Sequence, residues 1–227
     1  AAQNAAVAWP EGNELVIATH GRGCWALDNI APLRQWSPTV ASEDLHLFTP
    51  PRAVRSGPSL VVSWYSKQAP KGTKLEILDS AGVVLRTMVQ DSTHVDSLTK
   101  ESTHSDSARV DSMRTAASSV RRYAGGFLPK PVKGLNKVSW DGRAQGVESF
   151  PSMILWGGGT AGPALPPGRY TIRVTADAHV ATAPLTIVRN PRLPVTDADL
   201  RAQYAFSRKV RDRATEARPA RSSCASG

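Results

Sequence analysis

The sequence predicts a mainly β protein, in which a β-hairpin precedes a small β-sandwich and an α-helix follows it. About seven short β-prone runs separated by turn residues lie between residues 45 and 188, a pattern typical of a sandwich. Two further β-prone runs lie near the start of the chain. Near its end, Thr196-Asp197-Ala198-Asp199 has the polar cap and early acidic residues of a helix N-terminus.

The first element is a hairpin within residues 15–28. Residues 15–18 are an apolar run too short for a helix, and residues 7–9 predict a preceding strand. The glycines of His20-Gly21-Arg22-Gly23 suit a tight turn, because glycine adopts positive φ at little cost. A lone hairpin is marginally stable in water, so we expect its partner strands to lie upstream, in a longer protein.

The next segment, residues 32–56, is rich in proline and predicts an extended linker, since proline removes an N–H donor and restricts the residue before it. Residues 45–48 predict a short strand within that linker. The sandwich is expected over residues 57–190. Its predicted strands are residues 60–65, 74–79, 83–89, 137–140, 170–174 and 183–188, with Asp79-Ser80-Ala81-Gly82 as a hairpin turn.

Residues 91–123 interrupt the sandwich and are rich in Ser, Thr, Asp and Arg. Such a composition predicts a disordered insertion, because little apolar surface offsets the entropy of ordering. His94 and His104 lie there near acidic residues, but a flexible loop offers no fixed ligand geometry, so we predict no metal site. A C-terminal helix is expected within residues 191–217, and a disordered tail over residues 218–227.

Composition excludes several classes of protein. The chain has 227 residues, a net charge of +9 and a pI near 10.0, but its basic residues are scattered and no nucleic-acid-binding motif accompanies them, so we predict no nucleic-acid partner. No run of about 20 apolar residues could cross a membrane. The two cysteines, Cys24 and Cys224, make no disulfide framework.

Motifs for catalysis are weak. Glycoside hydrolysis normally needs two facing carboxyl groups, and the adjacent Glu43 and Asp44 are expected to point apart. The run Gly157-Gly158-Gly159-Thr160 lacks the Lys-Ser/Thr of a phosphate-binding loop. We therefore predict no catalytic residue and no cofactor in this chain.

Five runs carry a resemblance to a known family. They are THGRGCWALDNIAPLRQ (residues 19–35), LHLFTPPRA (45–53), GLNKVSWDGR (134–143), MILWGG (153–158) and PPGRYT (166–171). The first resembles the closing blade of bacterial-neuraminidase-repeat β-propellers related to sortilin, a family that includes glycosyl hydrolase-like and exo-sialidase-like proteins. The second run resembles the linker of that family, and the other three also fit it. The runs GLNKVSWDGR and PPGRYT are in addition similar to an immunoglobulin-like module also seen in flagellar hook-capping proteins.

The resemblance implies a last-blade remnant over residues 1–31, followed by an immunoglobulin-like sandwich and the helix. It implies a secreted, periplasmic or cell-envelope protein in which this chain is a non-catalytic structural or interaction region. Its partners would be the upstream propeller blades, with a glycan or another protein as further candidates. The alternatives are part of a glycoside hydrolase, or a carbohydrate-binding module.

Four residues are binding candidates. His20 and Arg22 lie in the hairpin turn, where a propeller rim would face a channel or a neighbouring domain. Trp64 and Trp156 are candidates for stacking on a sugar. The alternatives are that Gly21 and Gly23 simply fix the turn, and that both tryptophans are buried in the core.

Overall fold

A computed structural model describes residues 5–8, 14–19, 23–57, 59–90, 127–147 and 160–216. In these ranges the chain forms three β-sheets and three helices, which confirms the predicted mainly β class. The predicted disordered insertion, the tail over residues 218–227, and the residues His20, Arg22 and Trp156 lie outside the described residues.

The first sheet is a three-stranded antiparallel meander of β1 (Ala5–Ala8), β2 (Glu14–Thr19) and β3 (Gly23–Asp28). Thr19 pairs with Gly23 and Glu14 with Asp28, which confirms the predicted hairpin. The meander then continues through Asn29, whose φ is 59°. Asparagine tolerates this left-handed conformation better than most residues, and it redirects the chain at the end of β3.

The prediction of an extended linker over residues 32–56 is wrong. This segment forms two short helices and two short strands: α1 (Ala31–Gln35), α2 (Pro38–Ser42), β4 (Leu45–Leu47) and β5 (Ala53–Val54). Pro32 and Pro38 lie in the first turns of the helices, where the missing N–H costs nothing and the fixed φ is already helical. The sandwich therefore begins well before residue 57.

The remaining strands complete two sheets. They are β6 (Leu60–Ser66), β7 (Thr73–Leu78), β8 (Val84–Gln90), β9 (Phe127–Leu128), β10 (Gly134–Trp140), β11 (Gly168–Ala176) and β12 (His179–Val188). One sheet has the order β10-β6-β4 and the other β5-β12-β11-β7-β8-β9. We call residues 31–54 the link. Its strand β4 belongs to the smaller sheet and its strand β5 to the larger sheet.

The two sheets share one hydrophobic core. Alternate residues of β11 are buried in it, as expected for a strand with one buried face. Trp64 from the smaller sheet and Trp140 are its largest fully buried side chains. The Trp140 Nε1–H donates to the Arg143 carbonyl at 3.0 Å, so its polar group is satisfied within the core.

Local chemistry fixes the predicted turn between β7 and β8. The Asp79 Oδ1 accepts hydrogen bonds from the N–H groups of Ala81 and Val83, at 2.9 and 2.8 Å. Gly82 has φ of 82°, a conformation that strains other residues. The predicted hairpin is confirmed because these determinants lie within a few residues of one another.

The C-terminal helix, α3 (Asp197–Glu216), confirms the predicted helix. The Thr196 Oγ1 accepts from the Asp199 N–H at 3.2 Å, and the Asp199 Oδ2 accepts from the Thr196 N–H at 3.0 Å, a reciprocal cap. Hydrogen bonds from Thr196 lower the pKa of Asp199. Leu200 is buried and Tyr204 packs against the core, so the helix docks on the sandwich. No described helix has the length and apolarity needed to cross a membrane.

Candidate functional site: the aromatic junction

Four rings meet where the link crosses the smaller sheet, and we call them the aromatic junction: Trp36, His46, Phe48 and Tyr65. The rings of Trp36 and Tyr65 make an edge-to-face contact with centroids 5.2 Å apart. Phe48 lies 6.4 Å from Trp36 and 4.9 Å from His46. These separations lie within the range over which aromatic pairs attract beyond simple area burial.

The junction holds the link against the sandwich. Phe48 is 1% exposed, and its N–H donates to the Ser63 carbonyl at 3.1 Å, which extends the pairing of β4 with β6. The Gln35 side chain donates to and accepts from the backbone of Thr49, at 2.8 and 2.9 Å. This reciprocal pair fixes the end of α1 to the residue after Phe48.

The packed segment continues back to the end of the meander. Ile30 and Ala31 are buried, and the Asn29 side chain donates to the Ser63 Oγ at 3.4 Å. The chain therefore passes from β3 to the outer side of β6 along packed residues.

Trp36 is the accessible member of the junction. It is 47% exposed, and Leu33, one helical turn earlier, is 63% exposed. Together they present an apolar surface beside the exit of β3.

Trp64 does not serve as an exposed binding residue, because it is 0% exposed. It lies on the inner face of β6, and its Nε1 is buried without a hydrogen-bond partner among the described residues. Stacking of a sugar on this ring is excluded in the folded chain. The structure supports the alternative that sequence analysis left open, in which Trp64 supplies core area.

Glu43 and Asp44 are engaged separately. The Glu43 carboxylate lies 2.8 Å from the Nδ1 of His46, and the Asp44 carboxylate lies 3.9 Å from the Nζ of Lys67. Within the described part of the chain, no group of three or more His, Cys, Asp or Glu side chains could hold a metal ion.

A cleft of about 290 Å³ lies at one end of the sandwich, beside Arg55, Asp141 and Arg143. The Arg55 Nε–H donates to the Leu165 carbonyl at 3.1 Å, and its Nη2 donates to the Gln203 side chain at 2.7 Å. Burial, and then the charge of Arg143, lower the pKa of Arg55. Arg55 therefore connects the end of β5 to α3 by a hydrogen bond, and its role is structural.

Arg143 is engaged in the same way. Its Nη1 donates to the Gly162 carbonyl at 2.9 Å, and its backbone N–H donates to the Asp141 carboxylate at 3.1 Å. Asp141 thus stabilises the turn that follows β10.

The chain matches no protein-family model, no curated protein and no solved structure. Sequence reasoning missed the aromatic junction, because Trp36 and Phe48 lie in a segment that its prolines marked as extended. The usable signal was the run Leu45-His46-Leu47-Phe48, which already predicted a short strand.

Proposed function

We propose that this chain is a non-catalytic accessory region of a propeller protein of the bacterial-neuraminidase-repeat, sortilin-like kind, exported to the cell envelope or beyond. In this proposal the meander belongs to the last blade, and the sandwich is an immunoglobulin-like module that braces the propeller. The observation that carries it is the packed link, which joins the meander to the sandwich without an extended segment.

A packed link supports a structural role. An extended linker would let the sandwich tumble independently. Here Ala31, Val40 and Phe48 are buried, the Phe48 N–H donates to the carbonyl of Ser63 on β6, and Leu47 of β4 belongs to the core of the sandwich. Moving the link away from the sandwich would break the two hydrogen bonds between Gln35 and Thr49 and would expose the Phe48 ring.

The exposed pair Leu33 and Trp36 is the surface we assign to the propeller. Exposed apolar patches commonly mark protein contacts, and tryptophan is enriched among residues that dominate binding energy. The pair lies beside the exit of β3, so the nearest body in the parent protein would be the last blade itself.

Two measurements test this function. The purified chain should give no turnover of fluorogenic sialosides or aryl glycosides, and the reading frame that encodes it should also encode blades with Ser-x-Asp-x-Gly-x-Thr-Trp boxes. Turnover by the chain, abolished by Asp141→Asn, would instead identify a glycosidase.

Docking has its own test. A tagged blade segment should retain the chain, and Trp36→Ala should weaken retention about tenfold, as expected for loss of a binding hot spot. Phe206→Ala is the matched control, because Phe206 is 70% exposed on α3, away from the junction. Equal retention of both variants would contradict the assignment of this surface.

A further inference from the structure

Three arginines from different elements line one groove on the outer side of the larger sheet. Arg169 lies on β11, Arg189 directly follows β12, and Arg201 lies in the second turn of α3. The groove has a volume of about 650 Å³, and Pro167, Val188 and Pro191 supply apolar lining. We call it the arginine groove.

The three guanidinium groups carry unused hydrogen-bonding capacity. None has a carboxylate within 4.0 Å among the described residues. Arg189 donates from Nη1 to the Val195 carbonyl at 2.9 Å, and within the described part of the chain the side chains of Arg169 and Arg201 make no hydrogen bond. This distinguishes the groove from the cleft at Arg55, where backbone carbonyls and Gln203 occupy the donors.

The charge of the groove is also uncompensated. Asp197 is the acidic residue in its lining, so three guanidinium groups and one carboxylate leave a surplus of two positive charges. The N-terminus of α3 adds little, because Thr196 caps it and Asp197 and Asp199 already oppose its dipole. The attraction of the groove for an anion therefore comes from the three arginines themselves.

We propose that the arginine groove binds the phosphate group of a small phosphate monoester. Guanidinium forks match phosphate oxygens in geometry and charge, and a phosphate monoester carries nearly two negative charges at neutral pH, equal to the surplus in the groove. A carboxylate has one charge and two oxygens, which suit a single fork. A groove of this size also exceeds a bare phosphate, and the apolar lining is suited to the organic part of an ester. The site is independent of the propeller proposal.

The test is calorimetric titration of the full chain with inorganic phosphate, glucose 6-phosphate and acetate. We expect saturable binding of both phosphates, acetate at least about tenfold weaker, and weakening of all binding as salt is added. Tighter binding of glucose 6-phosphate than of inorganic phosphate would show that the ligand of the groove is a phosphate ester. Equal binding would show that the ligand is free phosphate. Absence of saturable phosphate binding, or acetate binding as tightly as phosphate, would overturn the proposal.

Variants locate the site. Arg169→Gln and Arg201→Gln should each weaken phosphate binding about fivefold to tenfold, with an unchanged thermal melt, because neither side chain supports the fold through a hydrogen bond. Arg192→Gln is the control, since Arg192 is exposed nearby but does not line the groove. An equal loss in Arg192→Gln would show general charge attraction and contradict a site in the groove.

Discussion

Two buried ionisable residues show how single side chains stabilise this sandwich. Glu76 on β7 lies directly opposite Arg173 on β11, and its side chain is 8% exposed. Its carboxylate contacts the Arg173 Nε at 2.8 Å and the Lys74 Nζ at 3.0 Å. Burial opposes ionisation, but the hydrogen bonds and charges of Arg173 and Lys74 outweigh it and lower the pKa of Glu76.

The Glu76 interaction should disappear in acid. A lowered pKa in the folded state means that the stabilisation is fully present above the ordinary value of 4.5 and is lost as pH falls through the folded value. We expect Glu76→Gln to reduce the free energy of unfolding by about 1–2 kcal/mol at neutral pH. Urea denaturation should show this difference shrinking in acid.

Glu216→Gln is the control for that series, since the Glu216 side chain is 64% exposed in its pair with Arg213. This variant should leave unfolding unchanged at every pH. A Glu76 difference that stays constant from neutral to acidic pH would contradict the assigned ion pair.

Tyr170 gives the opposite pH dependence. Burial, and then the charges of Tyr204 and Asp79, raise the pKa of its phenol to about 12, and its hydroxyl donates to the Pro166 carbonyl at 2.7 Å. Tyr170→Phe should lower the free energy of unfolding by about 1 kcal/mol at neutral pH. The raised pKa makes this contribution persist below the ordinary value of 10.0 and vanish as pH rises through about 12.

Ultraviolet titration of phenolate checks this assignment. In Tyr170→Phe the ionisation at the highest pH should be missing from the titration. If that ionisation remains in the variant, the raised pKa belongs to another tyrosine.

At the scale of secondary-structure elements, the sequence could predict the features that local hydrogen bonds determine. It could not predict which distant strands pair with one another. The hairpin turn at Asp79 and the cap at Thr196 were predictable, because their hydrogen bonds lie within four residues. The strand over residues 45–48 was predicted too, but its pairing with β6 was not, and β5, which pairs with β12, was missed. Nothing in residues 45–54 specifies those partners.

The candidate sites follow the same rule. The sequence could not show whether Trp64 faces the core or the solvent. The strand β6 is buried at nearly every position, so its sequence has no alternation that marks an outer face. The arginine groove was missed because the fold alone brings together β11, the end of β12 and α3.

Phe48 tests whether the link is part of the sandwich. Phe48→Ala should reduce the free energy of unfolding by about 3–5 kcal/mol, the usual loss for a fully buried ring, whereas Leu33→Ala on the exposed side of α1 should change it little. Thermal and chemical denaturation measure both. Equal, small effects would mean that Phe48 does not hold residues 45–54 against the sandwich.

At the scale of the whole molecule, the described residues form a meander and a sandwich joined by a link that shares the sandwich's core. The link contributes to both sheets, because β4 joins the smaller sheet and β5 joins the larger. The aromatic junction packs on the smaller sheet through the contact of Trp36 with Tyr65. The arginine groove lies on the larger sheet, so docking and anion binding would occur on different surfaces.

Hydrogen exchange of the intact chain, followed by mass spectrometry, tests the packed link most directly. Amides in β4 and in Phe48 should exchange with the protection of β6, because their hydrogen bonds open only when the sandwich unfolds. Exchange of residues 31–54 at the rate of an unstructured peptide, beside a protected β6, would contradict the account.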